Sequence, residues 1–198
     1  MMRFTHTLAA LVAISCLLSG CASPQKVVAS GAPISKDRGY VGGLFVQKVV
    51  ADVTGFTLTN VDTKQEFEIP FVSGVEKFKS VPREQKWVIE TIVIDIPPGK
   101  YAVTHWFQYQ ISTNARNIRH EFSAAVKQKT FIVEPGKMMF LGKFAGDQVT
   151  LEQNVFQVTK YEQSTHALPI SNNEARGVVN KVYPELNSLK FECLNCAP

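Results

Sequence analysis

The sequence predicts a mainly β protein, an antiparallel β-sandwich with one short C-terminal helix. Three observations carry that prediction. From Tyr40 onward, short runs of β-branched and aromatic residues recur, about seven to nine of them, each bounded by turn residues. Pro-Gly-Lys stands at two of the breaks, residues 98–100 and 135–137. Pro presets φ near about −65° and Gly accepts positive φ, so both breaks are tight turns. The apolar period becomes helical only near the C-terminus.

The first strand is GLFVQKVV, 43–50, and GFTLTNVDTKQEFEIPF, 55–71, reads as a hairpin with its turn in NVDTK. KWVIETIVIDI, 86–96, is broken by Pro97-Pro98-Gly99-Lys100 and followed by YAVTHWFQYQI, 101–111. Strand side chains alternate, which assigns Tyr101, Val103, His105, Phe107, Tyr109 and Ile111 to the core face. Ala102, Thr104, Trp106, Gln108 and Gln110 fall on the other face. Asn114, Arg116, Asn117 and Arg119 mark a solvated loop. KTFIVE, 129–134, and MMFLGKF, 138–144, flank the second Pro-Gly-Lys turn, and VTLEQNVFQVTKY, 149–161, closes the series. The two turns are expected to make two hairpins built alike, each with a solvated lysine. Ala175, Val178, Val179, Val182 and Tyr183 then recur at helical spacing. Ser171 is the expected N-cap, with Glu174 completing a capping-box pattern, and Pro184 ends the helix. The helix is expected on the sandwich edge.

The turn pattern carried by Ile96–Tyr101 and Phe131–Phe144 resembles that of small prealbumin-like β-sandwich domains found in bacterial lipoproteins. The resemblance implies an all-β fold, Ig-like or prealbumin-like, and no activity.

The amino terminus points the same way. Residues 1–7 carry Arg3 and no acid, and an apolar run of about eleven residues follows, well short of the roughly 20 that a membrane span needs. It ends in Leu18-Ser19-Gly20-Cys21, which resembles the lipobox of bacterial lipoproteins. The resemblance implies a signal peptide over 1–20, diacylglyceryl transfer to the Cys21 thiol and cleavage before it. Acyl chains on Cys21 then tie the protein to the membrane, because one chain holds marginally and two or three hold firmly. Ala22 stands where an Asp would favour the inner membrane, so the implied location is the outer membrane, facing the periplasm. Residues 21–38, rich in Ala, Ser, Pro, Gly and Lys, read as a flexible tether of roughly 20–25 Å. The sandwich is assigned to 39–165, and the helix and Cys-containing tail to 166–198.

Composition narrows the function classes. The chain has 21 Lys and Arg against 17 acids. Only Arg3 of these lies within the signal, leaving 20 against 17, a mild excess with no basic run, which argues against nucleic acid. No nucleophile, metal or phosphate-loop motif is present, so an enzyme and a cofactor are not expected. His105 reads as a core or edge histidine and His120 as solvated. Asp95 and Glu134, one before each Pro-Gly-Lys turn, read as turn acids that meet a lysine. Cys193 and Cys196 admit a local disulfide, unpaired or intermolecular thiols, a metal site or a redox centre. Their place after the helix argues against redox, and no second pair of ligands lies nearby. An oxidising compartment, where the resemblance places the chain, favours the disulfide. Trp106 and Trp87 are the candidate binding residues, Trp106 because its face is opposite the core stripe. The expected role is an envelope protein that binds a protein partner or supports an assembly. The alternative is a carbohydrate or peptidoglycan binder using the two tryptophans.

Overall fold

The computed structural model describes residues 26–48, 52–74, 87–110, 118–153 and 158–197, and there ten strands form two facing five-stranded sheets. The signal, Cys21, residues 22–25, Ile111, Asn114, Arg116 and Asn117 lie outside the described residues. In the first sheet β4 (Trp87–Ile96) pairs with β1 (Gly39–Lys48), and β1 with the long β8 (Lys137–Gln153). The far edge of β8 carries β10 (Lys190–Cys193) and then β9 (Val158–Leu168). In the second sheet β3 (Glu66–Pro70) pairs with β2 (Asp52–Asn60), and β2 with β5 (Gly99–Gln110). The far edge of β5 is shared by β7 (Thr130–Val133) and β6 (Ile118–Glu121). The fold is therefore mainly β and a sandwich. Its pairings are antiparallel except β1–β8 and β8–β10, which are parallel.

Local turn chemistry accounts for the punctuation. The side chain of Asn60 accepts the Asp62 and Thr63 N–H groups at 3.0 and 2.9 Å, which closes the β2–β3 hairpin. At the second Pro-Gly-Lys, Gly136 has φ +72°, and the Lys137 N–H donates to the Glu134 carbonyl. The hairpin expectation fails for these two turns. Residues 97–98 carry the chain from β4 in the first sheet to β5 in the second, and 134–136 carry it back from β7 to β8. Both turns are corners between sheets. The 149–161 run also divides: its ends belong to β8 and β9, which pair with each other.

The facing expected for β5 holds only up to Val103. Leu58 lies opposite Val103 and Thr57 opposite His105, so Thr104 is an extra residue, a β-bulge. Tyr101 and Val103 face the core, as alternation predicts. Beyond the bulge the parity is reversed: Trp106, opposite Phe56, packs against the core, and His105 and Phe107 turn outward. Phe107 is nevertheless buried, because it lies over Gly55, where a Cβ would come within 2.2 Å of its ring.

The inter-sheet core is built on phenylalanine. Phe45 stacks on Phe71 at 4.4 Å, and Phe56 meets Phe71 and Phe144 edge-on, each at 4.9 Å. A second core lies outside the first sheet. There Tyr40, Leu44, Val93 and Phe140 are covered by Ala175 and Val179 of the C-terminal helix and by Tyr183 just beyond it. The helix thus lies on a sheet face and not on the sandwich edge. It spans Asn172–Val182, and the Ser171 hydroxyl accepts the Glu174 N–H at its start. Pro184 opens a 3₁₀ turn, Pro184–Ser188.

The segment expected to be a flexible tether is docked from Val27 onward. Val27 bridges Ile94, and the Val28 N–H donates to the Val93 carbonyl at 2.8 Å, extending the first sheet past β4. Val28 and Ile34 pack into the second core, and the Arg38 guanidinium holds Asp95 at 2.5 Å.

Candidate functional site

The edge of the second sheet has a gap. Along β5, β7 pairs with residues 99–102 and β6 with 105–108, leaving Val103 and Thr104 between them. There the chain makes a single helical turn, α1 (Ala124–Lys127), and the Phe122 N–H just before it donates to the Thr104 carbonyl. A cleft of ≈ 400 Å³ opens at this gap and runs between the sheets. Phe56, Val103 and Phe144 form its depth, with Phe122 and Val126 on one lip and Ala167 of β9 on the other.

The C-terminal turn completes the wall. Cys193 and Cys196 are joined (S–S 2.07 Å, Cα–Cα 5.7 Å), and the bridge frames Leu194 and Asn195, both of which line the cleft. The turn is tied to the first sheet by the Leu194 N–H, which donates to the Phe140 carbonyl at 2.8 Å. It fits because residue 142 is glycine: a Cβ there would meet Asn195 at 3.1 Å. Asn195 donates from Nδ2 to the Leu141 carbonyl at 2.7 Å and accepts the Lys129 ammonium on its other amide atom. The polar groups at the mouth are therefore Lys129, His166, Thr165 and Asn195, around an otherwise apolar slot.

A second, shallower cleft of ≈ 630 Å³ lies between residues 27–30, β4 and the C-terminal helix, and includes the exposed Ile89 and Val182. Elsewhere the main polar feature is a chain of charges across the outer face of the second sheet. Arg119 holds Glu66 with two bonds of 3.0 and 2.9 Å and donates to His105 Nδ1 at 3.1 Å. His105 Nε2 faces Glu121 at 3.9 Å, and Glu121 accepts Lys127 at 2.7 Å. Burial and then the Arg119 charge push the His105 pKa down, favouring its neutral form. Bonds from Lys127 hold the Glu121 carboxyl below the usual range. The chain of charges links β3, β5, β6 and α1, and its groups satisfy one another, as in a structural strut.

The residues singled out in the sequence are scattered. Trp106 is half-buried and stacked on His120 at 4.0 Å, so His120 is not simply solvated and Trp106 does not stand on a free face. Trp87, also half-buried, starts β4 in the other sheet, so the two tryptophans share no surface. Asp95 is met by Arg38 and Glu134 by Lys137, each in its own ion pair. Lys137 is therefore engaged at its turn, where a solvated lysine is expected. Among the described residues no group of three or more His, Cys, Asp or Glu is arranged to hold a metal. Lys129 and Asn195 are 66 residues apart, and no spacing in the sequence could have joined them.

No family model matches the chain, and no curated protein matches it. Among solved structures it has a likeness to a leucine-rich repeat protein from Bacteroides thetaiotaomicron VPI-5482, at 15% identity and a TM-score of 0.29. The likeness covers 55% of this chain and 14% of that one, and a score so low carries no conclusion.

Proposed function

We propose that this chain is a lipid-anchored bacterial envelope protein, held to the outer membrane by acyl chains on Cys21, whose sandwich binds an apolar group and does not catalyse. The lipobox-like Leu18-Ser19-Gly20-Cys21 supports the anchor. The observation that carries the binding role is the cleft beside α1, whose depth is Phe56, Val103 and Phe144. An open slot with apolar walls and a few polar groups at its mouth is the form that small-ligand sites take. An envelope protein partner, the role expected from sequence, could offer the same walls a protruding side chain; the chemistry of the mouth bears on that choice.

Metabolic labelling with a fatty acid tests the anchor. The parent chain should take up label and Cys21→Ser should not, because a hydroxyl is too weak a nucleophile for the transfer. Label persisting on Cys21→Ser would overturn the anchor. For the cleft, a soluble chain beginning at residue 22 retains every described element. An apolar fluorophore should brighten on binding it and lose that response in Ala167→Trp, which fills the lip. No brightening with the parent would overturn the binding role.

A further inference from the structure

Resting on that reading of the cleft, we propose that its ligand is an amphiphile with a single acyl chain and an anionic head. The chain lies between the sheets and the head sits at Lys129. The cleft's ≈ 400 Å³ falls within the range of small-molecule sites, roughly 300–1,000 Å³. That is more room than one side chain of a partner protein would fill. Phe56, Val103, Phe122 and Phe144 offer contact without hydrogen-bond demands, which suits a hydrocarbon tail and leaves a polar ligand unsatisfied.

Lys129 supplies the complementary charge. Four lysines of the described residues are already held by acids: Lys127 by Glu121, Lys137 by Glu134 and Glu192, Lys190 by Glu192, and Lys48 by Asp147. The exposed Lys129 meets the neutral amide of Asn195 instead. An ammonium has three donors, and that contact uses one, leaving two for an incoming anion. Asn195 is itself pinned to the Leu141 carbonyl and framed by the Cys193–Cys196 bridge, so the ammonium is held at the mouth and not left to wander. A carboxylate or phosphate head there would gain charge-assisted hydrogen bonds while its tail enters the slot.

Isothermal titration calorimetry of the chain from residue 22 tests this with laurate, dodecanol and dodecyltrimethylammonium. Laurate should bind, about tenfold or more tighter than dodecanol, and the cation more weakly than either. Shortening the acid by a methylene should weaken it roughly fourfold. Lys129→Gln should bring laurate to the level of dodecanol and leave dodecanol unchanged. Ala167→Trp and Ala125→Trp, on opposite exposed lips, should each abolish binding of both, with unchanged melting showing that they fold. Laurate no tighter than dodecanol, or indifferent to Lys129→Gln, would overturn the anionic head while leaving the apolar site standing. No binding by any of the three would overturn both.

Discussion

Tyr183 sits where the C-terminal helix meets the first sheet, and its hydroxyl donates to the Thr91 carbonyl at 3.2 Å. Burial raises its pKa from an ordinary 10.0 to about 12. The folded chain therefore keeps a proton that the unfolded chain loses first, near pH 10. The resulting stabilisation is complete below pH 10 and disappears as pH rises through about 12. Tyr101, whose hydroxyl donates to the Pro97 carbonyl at 2.9 Å, is raised in the same sense by burial. Tyr183→Phe should cost about 1 kcal/mol at neutral pH by losing the hydrogen bond. Denaturant titrations at several pH values should show the parent's advantage over Tyr183→Phe shrinking between pH 10 and 12. An advantage undiminished at pH 12 would refute the assignment.

Among the elements, the Cys193–Cys196 turn matters more for position than for stability. The bridge closes a very short loop, which restrains the unfolded chain little and is worth no more than about 2 kcal/mol. The Cys193→Ser, Cys196→Ser double variant should therefore melt only a few degrees lower. It should weaken laurate binding by more than that loss suggests, because Leu194 and Asn195 lose their frame. Mass spectrometry without reductant should find the parent's C-terminal peptide two hydrogens lighter than the reduced form. Stoichiometric zinc in the purified chain would contradict the bridge. The two Pro-Gly-Lys corners act at the same scale: each delivers a strand to the opposite sheet, and together they place β5 against β2 and β8 against β1.

For the whole molecule, the docking of residues 26–38 changes the geometry of attachment. From Cys21 to Lys26 is five residues, at most roughly 18 Å of extended chain. A sandwich lipidated at Cys21 would thus lie close to the bilayer, with the β4 side and the shallow Ile89–Val182 cleft near the point of attachment. Removing residues 22–38 tests whether the segment belongs to the fold. Val27, Val28 and Ile34 pack on the two cores, and losing about 1 kcal/mol for each should lower the melting temperature by roughly 6–12 °C. A free tether would leave the melting temperature unchanged.

What the sequence determined by itself was local. Strand runs, the Asn60 turn, Gly136 at positive φ and the Ser171 cap each depend on residues within a few positions of one another, so composition and spacing reveal them. The tertiary structure alone decided how these pieces face. Alternation along β5 predicts a core face for Phe107 and a free face for Trp106, but strict alternation assumes an unbroken register. Pairing with β2 inserts Thr104 as an extra residue and reverses the facing of His105, Trp106 and Phe107 beyond it. The cysteine pair of the candidate site was legible, because its two residues are near neighbours. The cleft was not: it exists because β6 and β7 leave a gap on β5, and because Lys129 and Asn195 come together from 66 residues apart. Such contacts arise from sheet pairing across the chain, and no short-range pattern encodes them.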